Sequence, residues 1–325
     1  YLADPRQVAV RNVLAVLDGR SLDAALAATA DAMDARDRAL AAELSYGVCR
    51  WYRRLDALVS LLLRKPFKKK DRDLRMLLLL GAYQLLYSRI PPHAAVSATV
   101  ETSRLLGKAW ASKLINGVLR RLQRERVDLE ARADVRPAVR YAQPDWLYQK
   151  LEADWPQQLD VICAATQQRA PMTLRLDLNQ ASRSEYLRRL EEVGIGAQAH
   201  ATVSTALVLD VPVAVDRLPG FDTGLVSVQD AGAQLAGAYL EVRPGQKVLD
   251  ACAAPGGKTL DILQRTSGLK VTALDLDAER LQRVRENLQR GACDAELVAA
   301  DAADPQHATW GDRRYDRILV DAPCS

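Results

Sequence analysis

The sequence predicts a multidomain chain: an all-α segment, then a small α+β module, then an α/β Rossmann-like segment whose doubly wound parallel sheet is incomplete at its C-terminal end. Three observations carry this expectation. Apolar residues recur at three- and four-residue spacing through the first 135 residues, with few β-branched runs. Helical and strand-like runs mix between residues 141 and 240. From Gly245 onward short apolar strands alternate with amphipathic helices around a Gly-Gly turn. The expected domains are 1–140, 141–240 and 241–325.

In the first segment the periodicity places helices at Pro5–Leu17, Ser21–Ala30, Asp37–Lys65, Asp71–Tyr87, Ala94–Leu106 and Ser112–Glu125. Ser21, Asp37 and Asp71 stand where N-caps belong, and Pro66 and the Pro91-Pro92 pair interrupt the pattern between helices. The middle segment reads as helices Pro144–Glu152 and Pro156–Gln167, a strand Met172–Asp177, a helix Ser184–Val193, and strands near Ala206–Val211 and Leu225–Gln229. That order is β-α-β-β, a module fit either to orient its neighbours or to touch RNA, with Arg175 and Arg183 as candidate contacts. The last segment reads as strands Lys247–Ala251, Lys270–Asp275, Ala295–Ala299 and Arg317–Asp321, with helices Lys258–Gln264 and Ala278–Arg290 between the first three. Such a sheet continues past a fourth strand, so more chain is expected beyond Ser325, just as Tyr1 is not expected to be a translation start.

Charge is unevenly spread. Residues 1–140 hold 26 Lys+Arg against 15 Asp+Glu, residues 141–240 hold 7 against 12, and residues 241–325 hold 12 against 14. The surplus of +11 in the first segment concentrates in Arg50–Arg75 and Arg104–Arg126, an electrostatic footprint for a polyanion. The longest strongly apolar uncharged stretch, Met76–Ser88, has 13 residues, short of the roughly 20 that a membrane-crossing helix needs. The five cysteines, Cys49, Cys163, Cys252, Cys293 and Cys324, are odd in number and lack CxxC spacing. They point to neither a disulfide framework nor a metal site. A soluble, cytoplasmic, monomeric protein without metal is the expectation.

The chemistry gathers at the carboxyl ends of the last segment's strands, where ligands of doubly wound sheets bind. The first strand runs into Asp250-Ala251-Cys252-Ala253-Ala254-Pro255-Gly256-Gly257-Lys258-Thr259, two glycines opening a helix whose first amides are unpaired. A P-loop needs Gly five positions before Gly257 and finds Cys252, and no frame supplies Gly-x-Gly-x-x-Gly. A nucleoside without a pyrophosphate remains. Asp275, 19 residues beyond Gly256 and ending the second strand, is placed to accept from two ribose hydroxyls. Asp301 closes the third strand, within reach of an adenine amino group. The fourth strand ends in Asp321-Ala322-Pro323-Cys324, with Cys324 positioned as a nucleophile or proton-transfer group.

Three strings of the first segment resemble the antitermination factor NusB and the NusB-like domains of RNA methyltransferases: Leu79–Tyr87, Ile90–Val96 and Ile115–Arg120. The similarity spans about 120 residues, and such domains bind RNA. DACAAPGGKT, ALDLD and VDAPCS together resemble the RNA cytosine-5 methyltransferase family. The resemblance implies S-adenosyl-L-methionine held by Cys252, Ala253, Ala254, Pro255, Gly256, Gly257 and Lys258, with Asp275 on the ribose, Asp301 near the adenine and Asp321 beside the methionine or the target base. It further implies methylation of carbon 5 of a cytosine in small-subunit (16S) ribosomal RNA through a covalent cysteine adduct. In the family the Pro-Cys cysteine, here Cys324, assists product release, and the attacking thiol lies in a later Thr-Cys motif outside these 325 residues. Two other functions compete: a non-catalytic RNA-binding or assembly factor with a degenerate methyltransferase domain, and a P-loop ATPase, which Cys252 weakens.

Overall fold

The computed structural model describes residues 4–304 and 310–322 and divides the chain into two compact units, Tyr1–Arg169 and Ala170–Ser325. Asp4, Ser21 and Asp34 open the first three helices, Pro5–Leu17 (α1), Leu22–Ala27 (α2) and Ala35–Leu62 (α3), by accepting from amides of the first turn. The third of these caps lies three residues before the Asp37 expected from sequence, because Asp37 donates its own amide to Asp34 and sits inside the first turn.

Arg72–Tyr87 (α4) is the central helix. Leu77, Leu78 and Leu79 are all fully buried, and a helix apolar all round belongs inside a bundle. Around it stand α1, α3, Pro92–Leu105 (α5) and Ser112–Arg124 (α6), which supply Leu44, Leu55, Leu58, Ile115 and Leu119 to one core. Gly47 of α3 lies directly under the Tyr83 ring, with no room for a Cβ. Gly47→Ala is expected to lower stability by about 2–3 kcal/mol, because the Tyr83 ring is buried and its hydroxyl is held by Glu43, as thermal unfolding would report.

Arg126–Asp134 (α7), Pro137–Arg140 (α8), Asp145–Asp154 (α9) and Leu159–Gln167 (α10) complete the first unit. The last two were expected in the middle module. They group with the helical unit through an Arg136–Asp145 ion pair, the Tyr141 hydroxyl on Asp160, the Gln143 amide on Thr166 and the Gln167 amide on the Arg140 carbonyl. Among the described residues no helix is long and apolar enough to cross a membrane.

The second unit contains two four-stranded sheets. The first joins Thr173–Leu176 (β1), Ala197–Ala199 (β2), Ala206–Leu209 (β3) and Val226–Val228 (β4), all pairs antiparallel, in the order β2-β3-β1-β4. Its helix Arg183–Glu192 (α11) starts in a Ser182/Glu185 capping box and buries Tyr186 and Leu190 against Leu174 and Leu176. Alternation along β1 sends Arg175 to the opposite face. There the side chain is 2% exposed, so Arg175 is not a surface contact for RNA. A helix absent from the sequence reading, Ala231–Tyr239 (α12), follows β4.

The second sheet is wholly parallel: Lys247–Ala251 (β5), Lys270–Asp275 (β6), Glu296–Ala299 (β7) and Arg317–Val320 (β8), in the order β7-β6-β5-β8. The helices Gly257–Arg265 (α13) and Ala278–Arg290 (α14) connect β5 to β6 and β6 to β7. The strand order reverses between β5 and β8, which opens a crevice at their carboxyl ends.

Candidate cofactor and catalytic site

Everything converges on the turn leaving β5. Asp250 is 1% exposed; its Oδ2 accepts from Thr259 Oγ1 at 2.6 Å, while its Oδ1 is buried without a partner among the described residues. Burial pushes the Asp250 carboxyl up to about 6, against an ordinary value near 3.9. A carboxyl raised on folding adds stability only while protonated. Relative to Asp250→Asn, the wild type should therefore lose stability as pH rises from about 4 through about 6, a trend that paired denaturation curves would show.

After Ala251 the backbone turns left-handed at Cys252 (φ 61°) and again at Gly256 (φ 97°), the cap of α13. A Cβ on Gly256 would lie 3.0 Å from the Val284 Cα of α14, so this position needs glycine for both conformation and space. Gly257 differs. Among the described residues its nearest neighbour in the Cβ direction is the Gln229 amide nitrogen at 3.9 Å, and none of them closes that side of the turn. The turn is pinned from behind. Ala253 N donates to Leu274 O at 2.8 Å, Asn287 Nδ2 to Pro255 O at 2.8 Å and Arg280 Nη2 to Ala254 O at 3.1 Å.

Asp275 supplies the strongest tie. It is 2% exposed, and its Oδ2 accepts from Ala254 N at 3.0 Å while its Oδ1 accepts from Asp277 N at 3.2 Å and Arg280 Nη1 at 3.4 Å. The carboxylate thus holds two turns together, a role its position at a strand end does not reveal. Asp277 is the N-cap of α14, accepting from Glu279 N and Arg280 N. Asp301 closes its own turn by accepting from Ala303 N at 2.8 Å. Across the crevice Lys258 Nζ contacts the Asp321 carboxylate, which joins the helix after β5 to the end of β8.

Cys324 lies outside the described residues. The four other cysteines have thiols held above their usual range: burial lifts Cys49 to about 11 and raises Cys163 and Cys293, and at Cys252 the nearby Asp275 and Asp250 add to burial. None of the four is poised as a thiolate.

Three known families match consecutive stretches: NusB over residues 3–124, the RsmF/B-like ferredoxin-like domain over 143–216, and the 16S rRNA methyltransferase RsmB/F over 237–325. The ribosomal RNA small subunit methyltransferase B of Pseudomonas putida is 50% identical over 99% of this chain and 74% of its own length. The chain belongs to that methyltransferase family. The Vibrio cholerae member is 45% identical over 100% of this chain and 75% of its own. The crystal structure of PH0851, 19% identical, shares the fold with a TM-score of 0.74 over 99% of this chain and 75% of that one.

A methyltransferase homolog from Pyrococcus horikoshii, 26% identical, overlaps 58% of this chain and 62% of its own with a TM-score of 0.50. The family assignment accounts for the ordered succession of an all-helical NusB part, a ferredoxin-like sheet and a parallel methyltransferase sheet. Within this methyltransferase, the residues from Cys252 to Lys258 form one turn that Asp275 holds from the end of β6, with Asp321 reaching it through Lys258. Asp301 is not bonded to them. Arg280, Asn287 and Gln229 were missed by the sequence reading. Only the i, i+7 spacing of Arg280 and Asn287 on one face of α14 could have signalled two of the three.

Proposed function

We propose that the chain transfers the methyl group of S-adenosyl-L-methionine to carbon 5 of a cytosine in 16S rRNA. The turn suits that cofactor in three respects. It offers the buried Asp250 Oδ1, unpartnered among the described residues, as an acceptor. It leaves the Gly257 side open at the start of a nine-residue helix that has no side-chain cap. And it presents a strand-end carboxylate, Asp275, beside Leu276, whose side chain is 73% exposed. In this reading Cys252 to Lys258 line the cofactor, Asp275 accepts from its ribose, Leu276 covers its base, and Asp301 accepts from the adenine amino group. When bound, the cofactor supplies an electrophilic methyl group on its sulfonium.

The chain's own part is to hold the base and its reactive carbon. Cytosine carbon 5 is a poor nucleophile until a thiolate adds at carbon 6 and makes the ring enamine-like; once carbon 5 is methylated, loss of its proton and elimination of the thiol restore the ring. Lys258 holds the Asp321 carboxylate at the crevice mouth, where it meets the target base. Cys324 assists release, and the attacking thiol comes from a later Thr-Cys motif. The +11 charge of residues 1–140 supports rRNA as the partner, with the protein acting as a cytoplasmic monomer.

The observation that carries this reading is the Lys258–Asp321 contact spanning the crevice beside the turn, in a domain of the RsmB/F family. Full-length protein, 16S rRNA and radiolabelled S-adenosyl-L-methionine test it. Label on carbon 5 of cytosine is expected. Cofactor binding without any label in rRNA would refute the catalytic reading in favour of an assembly factor, and ATP binding in its place would refute the cofactor.

A further inference from the structure

The connection from α3 to α4 carries Arg64, Lys65, Lys68, Lys69 and Lys70, all exposed. Neighbouring cations of the same unit are paired: Arg72 with Asp18, Arg75 with Asp56, and Lys108 with both Asp71 and Asp73. Among the described residues none of the five has a carboxylate within 4.0 Å. Five unpaired like charges within seven residues repel one another, a cost that a polyanion would remove.

The same connection forms one wall of a cavity of about 630 Å³. Trp110, 63% exposed, and Leu114, 41% exposed, line the same cavity. Lys108, two residues before Trp110, clamps the two segments together: its Nζ donates to the Lys70 carbonyl at 2.9 Å and to Asp73 Oδ1 at 2.5 Å, and pairs with Asp71 at 3.0 Å. The clamp engages both nearby carboxylates and fixes the segment that carries the indole beside the lysine-bearing connection. A groove lined by several cations and by an exposed indole matches a chain of phosphates carrying flat, unpaired bases. A duplex keeps its bases stacked inside and offers the indole no face.

We propose that this groove takes a single-stranded segment of RNA, its backbone along Lys65, Lys68 and Lys70 and one base stacked on Trp110. The proposal rests on the rRNA reading above, and its test separates the two. With full-length protein and a fluorescent ten-nucleotide single-stranded RNA, Trp110→Ala should weaken binding about tenfold or more, and Trp110→Phe should retain most of the affinity. Replacing Lys65, Lys68 and Lys70 by Gln should reduce the slope of log affinity against log salt by about 2. Both sets change exposed side chains, and unchanged thermal unfolding and S-adenosyl-L-methionine affinity verify that the fold persists. Wild-type affinity and slope in these variants would overturn the groove while leaving rRNA methylation intact. Loss of binding in a protein that never labels 16S rRNA would keep the groove and defeat the rRNA reading. Equal competition by duplex RNA, or stronger displacement by an acidic peptide, would overturn the proposal in favour of another partner.

Discussion

Replacing Arg175 by Met is expected to destabilise the second unit by about 3–5 kcal/mol, the range for removing one partner of a buried ion pair. Arg175 leaves β1 on the face opposite Leu174 and Leu176 and meets α13, where its Nη1 donates to Gln264 Oε1 at 2.5 Å and lies 3.5 Å from Asp261. Asp261 is 1% exposed and is also held by Arg265 Nε at 2.9 Å. Burial lowers the Arg175 pKa and raises that of Asp261, so the charge on each depends on the other. Among the described residues two guanidinium nitrogens of Arg175 and one oxygen of Asp261 already lack partners, so the seam has little reserve of hydrogen bonds. Removing the arginine leaves a buried carboxylate with one cation that is itself part-exposed.

The seam is the polar joint between the antiparallel sheet and the methyltransferase helices. Asn179 donates to the Gln264 carbonyl, and Arg290 of α14 donates to the Phe221 and Val226 carbonyls at 2.9 and 3.1 Å. Denaturant unfolding followed by hydrogen exchange in β1 would measure the loss. The double variant Arg175→Met, Asp261→Leu should recover part of it, because it removes the orphaned charge as well. A cost below about 1 kcal/mol for the single variant would show that the pair is solvated and carries little.

What sequence made legible follows from periodicity and from chemistry tied to backbone shape. Asp71–Tyr87 reads as a helix, and Arg72–Tyr87 is one, with its run Met76–Leu80 buried on every side. Lys247–Ala251 and Lys270–Asp275, followed by a Gly-Gly turn and by acids, read as parallel strands carrying a site at their ends, and they are buried on both faces. The short strand Ala197–Ala199 and the helix Ala231–Tyr239 were not visible. Their Ala- and Gly-rich strings carry little β-propensity and no clear apolar stripe, so tertiary contacts decide them. The helices Asp145–Asp154 and Leu159–Gln167 are legible as helices, and the ferredoxin-like family match over 143–216 includes them; the side-chain bonds that tie them to the helical unit, such as Tyr141 to Asp160, are encoded by no periodicity. Arg175 was misread for a related reason: an arginine in an acidic module looks like a surface cation until the partner across β1 is known. At the site, the glycines and the strand-end acids were legible. The internal bonds of Asp275 were not.

Those bonds set the size of the last expected effect. Asp275→Ala should weaken S-adenosyl-L-methionine binding by about 3 kcal/mol, roughly a hundredfold, which exceeds the loss of one neutral hydrogen bond. Two terms combine. The variant removes a charged acceptor for the ribose, and it frees the amides of Ala254 and Asp277 and the Arg280 guanidinium, so the turn from Cys252 to Gly256 loses its front anchor while Asn287 still holds Pro255. Asp275→Asn separates them. Asn keeps one oxygen acceptor for a backbone amide but no charge, and its NH2 group meets a second N–H where an acceptor stood, so it should bind more tightly than the Ala variant and less tightly than wild type. Calorimetric titration of all three proteins would decide the matter, with the affinity of an analogue lacking the ribose hydroxyls as the control. If that analogue loses nothing on the wild type while Asp275→Ala still costs a hundredfold, the carboxylate acts through the turn alone and its contact with the ribose is absent. If both lose equally and the losses do not add, the ribose term dominates.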